Sequence, residues 1–135
     1  VDKKLTIQIT SFSYKKGLPE DENGNGGGFI FDCRFLPNPG RLEAYKSLSG
    51  MDKDVIEYFQ GFPEVNWFVN HAMDMLRPVI DNYQEREFDH LMVSFGCTGG
   101  QHRSVYCANA LFFALKEQTD VDVKLSHREL NLHSK

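Results

Sequence analysis

The chain has 135 residues, of which 41% are hydrophobic, eleven are Phe, and the formal net charge is −4. That length fits one compact domain, residues 1–135, able to bury roughly 70% of its unfolded surface, and its acidic balance argues against broad non-specific nucleic-acid binding while allowing a local basic patch. Three cysteines, Cys33, Cys97 and Cys107, show no CxxC spacing, which argues against a disulfide framework or zinc site and fits a reducing cytoplasm.

No apolar run approaches the ~20 residues needed to cross a bilayer, and the polar N-terminus is no signal peptide; the expected setting is therefore cytoplasmic, with no membrane partner. Val1 in place of an initiating Met predicts a segment of a longer protein, with a further N-terminal domain missing.

In chain order, residues 5–11 alternate apolar (Leu5, Ile7, Ile9) and polar, the period of a half-buried strand. Residues 19–28 are polar and carry four glycines, which predicts a mobile loop, either a solvated connector or a lid. A second strand is predicted over 29–35, with Asp32 and Arg34 on one face and Phe31, Cys33 and Phe35 on the other. Short helices are expected over 41–47 and 54–60, then a long amphipathic helix over 63–86 that Pro78 kinks or splits. Trp67 lies off its apolar stripe, which predicts either a second packing surface or a partner contact. Residues 89–96 form a third strand, 104–118 a nearly enclosed helix, and 121–125 a fourth strand followed by His127 and Arg128. This order predicts an α/β fold: a single domain with a four-stranded, largely parallel or mixed sheet flanked by helices.

Between the third strand and its helix stands Gly96-Cys97-Thr98-Gly99-Gly100-Gln101-His102-Arg103-Ser104. A strand that ends in a Gly-rich turn and restarts as a helix aims backbone N–H groups at one point, which favours an anion, and Arg103 adds a fork of donors suited to phosphate. GxGxxG and GxxxxGK[ST] are both absent. Cys97 and Arg103 do stand at the Cys-x5-Arg-Ser/Thr spacing of cysteine-dependent phosphatases, in which a thiolate attacks phosphorus; Asp32 or Asp52 would then be the general acid. Those enzymes usually have His before the Cys, where Gly96 stands here, so recognition is preferred to covalent chemistry. Asp32 is also the plausible carboxylate mate of Arg103. If the third and fourth strands are parallel, His127 and Arg128 emerge at the same sheet edge. A basic surface for RNA would draw on Lys15, Lys16, Arg34, Arg103, Lys124, His127 and Arg128. No metal or cofactor site is predicted.

At residues 11–19, 29–39, 50–52, 96–105 and 127–128 the chain strongly resembles the C-terminal domain of the RapZ family of RNase adapter proteins, and GCTGG-x-HRSV is the most specific of these strings. The resemblance implies a sugar-phosphate-binding α/β domain that senses an amino-sugar phosphate, binds small regulatory RNA and tends to self-associate. It implies a pocket of Thr98, Gly99, Gly100, His102 and Arg103, with Asp32, Arg34 and Asn38 nearby. RNA-binding members resemble this chain except for Lys at Gln101, His at Gly40 and a basic tail. The preferred reading is a non-catalytic regulatory domain that binds a phosphorylated small molecule on residues 97–104, with a cysteine-dependent phosphatase and an RNA-binding module without metabolite as the alternatives.

Overall fold

The computed structural model describes residues 4–131. Its elements are β1 (Thr6–Ser13), a 3-10 turn (Tyr14–Lys16), β2 (Phe29–Asp32), a second 3-10 turn (Pro39–Arg41), α1 (Lys53–Gln60), α2 (Pro63–Glu85), β3 (His90–Cys97), α3 (Arg103–Gln118), β4 (Asp122–His127) and the short α4 (Arg128–Asn131). The strands form one sheet in the order β2-β3-β1-β4, and every neighbouring pair is parallel. The fold is thus an α/β domain whose sheet is wholly parallel.

Strand alternation sorts the two faces. Ile7 and Ile9 on β1 and Val93 and Phe95 on β3 are fully buried and join Leu76 of α2 and Leu111 and Leu115 of α3 in one core. Phe68 of α2 meets both Phe31 and Phe95 edge-on, so the long helices cover this face. The register sets Ser13 opposite Cys97 and Ser11 opposite His127, which brings the carboxyl ends of β1, β3 and β4 to one edge. Ligands of open parallel sheets gather at such an edge.

Several predicted elements change. β2 stops at Asp32 because Cys33 N makes the last ladder bond, to Gly96 O at 2.7 Å, and Arg34 N turns back to Asp32 Oδ1. Phe35 therefore leaves the sheet and is 58% exposed, although it still touches Phe68. Residues 41–47 form consecutive turns instead of a helix, with Tyr45 N bonded to Leu42 O and Leu48 N to Tyr45 O. α2 runs through Pro78 unbroken: Pro78 is exposed, and burial of Leu76 and Ile80 holds the helix on either side. α3 is less enclosed than its stripe predicts, since Phe113 is 64% exposed. Trp67 is exposed too and packs on His71 one turn along. The 19–28 loop is organised by Asp21, whose carboxylate accepts from the amides of Asn23, Asn25 and Gly27. The departure of Val1 from Met and the absent basic tail fall outside the described residues.

Candidate functional site

The 97–104 loop sits where β3 gives way to α3. Gly100 has φ +71°, a left-handed conformation that glycine adopts without steric cost; a Cβ there would also lie 2.5 Å from Glu129 Cγ. The turn folds the loop around the Cys97 sulfur, which accepts from Gly100 N at 3.3 Å and Ser104 N at 3.5 Å and lies 3.1 Å from Ser104 Oγ. The amides of Thr98, Gly99, Gln101, His102 and Arg103 have no acceptor among the described residues. No side chain caps α3 either. Loop and helix end therefore carry unused backbone donors. Thr98 and Gly99 are exposed, whereas Cys97 is 2% exposed.

Arg103 is the first residue of α3 and only 6% exposed. Its partner is not Asp32: Nη1 donates to the carbonyls of Arg34 at 2.6 Å and Leu36 at 3.4 Å. The expected ion pair gives way because the turn after β2 presents bare carbonyls directly to the guanidinium. Arg103 Nε is buried without an acceptor among the described residues. His102 is equally enclosed, with Nε2 3.0 Å from Tyr45 O. Gln101 O accepts from Gly50 N at 2.7 Å, and a Cβ on Gly50 would meet His102 O at 2.5 Å. Asn38 caps the second 3-10 turn through Gly40 N, and Gly40 lies against the His102 ring. Residues 34–50 are thus laced to the loop at several points.

Asp32 pairs with Arg34, which donates through Nε at 2.9 Å and Nη2 at 2.8 Å, and both side chains are about half exposed. The Arg34 guanidinium holds the Asp32 carboxyl below its ordinary range, which suits a standing negative charge better than a proton donor. The same guanidinium stacks 3.8 Å from the Tyr14 ring. Tyr14 and Phe12 explain Gly96: a Cβ there would lie 2.6 Å from Tyr14 Cε2 and 2.4 Å from Phe12 Cζ. The histidine that phosphatases carry at this position has no room. Asp52 accepts from Ser49 N at 2.7 Å.

Lys15 and Lys16 are exposed on the turn after β1, and Lys124 is exposed on β4. His127 is not available to a ligand. It is 7% exposed, Nδ1 lies 2.7 Å from Ser11 Oγ and Nε2 lies 2.8 Å from Asn109 Oδ1, and burial lowers its pKa to about 4. Arg128 donates to Glu129 and to the carbonyls of Ser13 and Gly17. Two positioning residues escape the sequence reading. Ser13 Oγ donates to Thr98 O at 2.6 Å, and the buried Glu129 accepts from Ser13 N at 2.9 Å. Glu129 follows a basic residue in a polar run, so only its register against Ser13 reveals the role. Cys33 is fully buried, and burial raises its thiol pKa, with Cys107 beside it adding to the effect.

Comparison with known proteins finds relatives along almost the whole chain. Among similar proteins are a "Nucleotide-binding protein" of Clostridium botulinum (strain Loch Maree / Type A3), 41% identical over 131 residues, and one of Agathobacter rectalis, 39% identical over 128 residues. A third, from Clostridium novyi (strain NT), is 40% identical over 131 residues. These alignments cover 95–97% of this chain but 42% of each relative, so the chain spans less than half the length of the curated relatives it matches. The family described as the RapZ C-terminal domain matches residues 5–131, and the chain belongs to it.

Proposed function

We propose that this domain is a non-catalytic regulatory module that holds the phosphate of a phosphorylated small molecule, an amino-sugar phosphate by family resemblance, on residues 97–104. The observation that carries this reading is the set of loop amides, Thr98, Gly99, Gln101, His102 and Arg103, without acceptors among the described residues. They lead into the uncapped end of α3, and a helix N-terminus stabilises an anion through both N–H donors and the helix dipole. The unpartnered Arg103 Nε supplies a further donor. Thr98, Gly99, Gly100, His102 and Arg103 then form the pocket, with Arg34, Asp32 and Asn38 at its rim.

Occupancy would be passed on through the contacts that lace the loop to residues 34–50, toward the rest of a longer parent protein or a small RNA held by Lys15 and Lys16. The relatives' name points to nucleotides, whose phosphates carry the same anion chemistry. The three buried free thiols suit a reducing cytoplasm, and no described helix is long and apolar enough to cross a membrane.

Titration of the isotopically labelled chain with glucosamine 6-phosphate, a nucleoside diphosphate and inorganic phosphate, read by NMR, tests the reading. The amides of residues 98–103 should shift saturably and furthest with the sugar phosphate. Amides that stay still at about millimolar ligand with all three probes overturn it.

A further inference from the structure

α2 buries Val65, Val69, Leu76 and Ile80 against the core, and helical spacing sets Trp67, His71 and Met75 one turn apart on a second stripe. That stripe is left to solvent. Trp67 and Met75 are each more than half exposed, and the Trp67 ring packs 4.4 Å from that of His71, whose Nδ1 lies 2.8 Å from Trp67 O. The apolar surface continues off the helix, because Phe68 meets the exposed Phe35 edge-on at 5.3 Å. Single exposed apolar residues are ordinary, but a contiguous patch rimmed by polar groups marks an interaction surface.

The rim is acidic. Asp74 and Asp81 follow the stripe on the side away from Phe68, Glu64 stands one turn before Trp67, and all three are exposed. Arg77 is the single Lys or Arg of α2, and it is engaged by Asp74 at 4.0 Å and by Gln118. Arg34, next to Phe35 in the chain, is paired with Asp32. A seam of residues one turn apart fits a helix laid along it. Carboxylates beside that seam, with the local arginines already engaged, select Lys or Arg on the incoming helix and repel an anionic surface.

We propose that the Trp67, His71 and Met75 stripe, extended by Phe35, is a docking surface for a basic amphipathic helix of a protein partner. Trp67 and Phe35 pack against the apolar face of that helix, and Glu64, Asp74 and Asp81 meet its cations at the rim. Phe35 stands between Arg34 and Leu36, whose carbonyls Arg103 holds. A helix seated here therefore touches the frame of the 97–104 loop, and it does so whether or not a ligand occupies that loop.

Trp67 is the one tryptophan of the chain, so its fluorescence reports on the patch directly. The probe is a helix of about 18 residues of Leu and Lys with the leucines on one face, and its counterpart carries Glu at each Lys. The Leu/Lys helix should shift Trp67 emission to the blue and saturate by about 0.1 mM, while the Leu/Glu helix leaves the emission in place. In anisotropy of the labelled Leu/Lys helix, F35S/M75S and D74N/D81N should each weaken binding roughly fivefold or more. F113S removes an exposed ring on α3 and should leave binding unchanged. No saturation by about 1 mM, equal binding of the two helices, or an equal loss from F113S overturns the proposal. Sedimentation that finds the parent dimeric and W67S monomeric gives the patch to a second copy and also overturns it. Vesicles of phosphatidylglycerol that shift Trp67 emission where the Leu/Lys helix does not have the same consequence.

Discussion

The guanidinium of Arg103 donates to the carbonyl of Arg34 at 2.6 Å, so one arginine fastens the turn after β2 beneath the second, exposed arginine and beside the 97–104 loop. Arg34 is thereby held by its backbone while its side chain stays paired with Asp32. The arginine at the head of α3 is first a structural clamp, holding two backbone carbonyls through Nη1.

Arg103→Lys tests this clamp. Lysine keeps the charge but lacks the planar guanidinium whose Nη1 is held against both the Arg34 and Leu36 carbonyls. We expect a loss of about 1–3 kcal/mol in urea unfolding, together with a fall of roughly tenfold in phosphate affinity.

Gly96→His would restore the residue that precedes cysteine in the phosphatases. Its Cβ would lie within 2.4–2.8 Å of Phe12 and Tyr14 ring atoms, so overpacking should destabilise the chain by about 2 kcal/mol or more in thermal unfolding. The prediction fails if the variant melts with the parent.

Cys97→Ser tests the enzymatic alternative. The sulfur supports Gly100 N and Ser104 N from within the loop, and a hydroxyl can accept from the same donors. Stability should fall by about 1 kcal/mol while phosphate affinity stays within roughly threefold. Hydrolysis of an aryl phosphate by the parent that disappears in the variant would instead make Cys97 a nucleophile.

The buried ring of His127 predicts a dependence on pH. Its pKa falls from 6.5 to about 4 on folding, so between these values the unfolded chain binds more protons. Stability from this group is present above pH 6.5 and is lost as pH falls toward 4, on the order of 2 kcal/mol once solvent screening is discounted. Asp21 and Asp32 are lowered from 3.8, by the Asn23 amide and by Arg34 respectively, so their contribution is lost only below that value. Urea midpoints measured between pH 7 and 4.5 should decline in the parent and stay nearly flat in His127→Asn.

Lys15→Gln with Lys16→Gln examines the proposed RNA partner. Both side chains are exposed beside Ser13, which anchors Thr98. Mobility retardation of a small RNA at low salt should weaken, and its dependence on salt should become shallower by about one contact per lysine. Equal retardation before and after the substitutions places RNA elsewhere.

Local pattern made much of the fold legible. The alternation of Leu5, Ile7 and Ile9 and the apolar repeat of residues 65–83 follow from burying one face of a strand or helix, and the structure keeps both. The Gly-rich turn at 96–104 is equally local, since only glycine holds φ +71° at Gly100 at little cost. Elements whose fate rests on distant partners changed: residues 41–47 yielded helix to a run of turns, and Phe35 left its strand when Asp32 turned the backbone of Arg34 inward.

The sequence by itself determined the α/β class and the position of the donor loop, because periodicity and glycine placement are properties of neighbouring residues. Only the tertiary structure decided which carbonyls Arg103 would hold, that His127 would be buried and neutral, and that Glu129 would sit under Gly100. Those outcomes depend on the parallel register of β3 with β2 and of β1 with β3 and β4, which joins residues more than sixty positions apart and leaves no trace in local spacing.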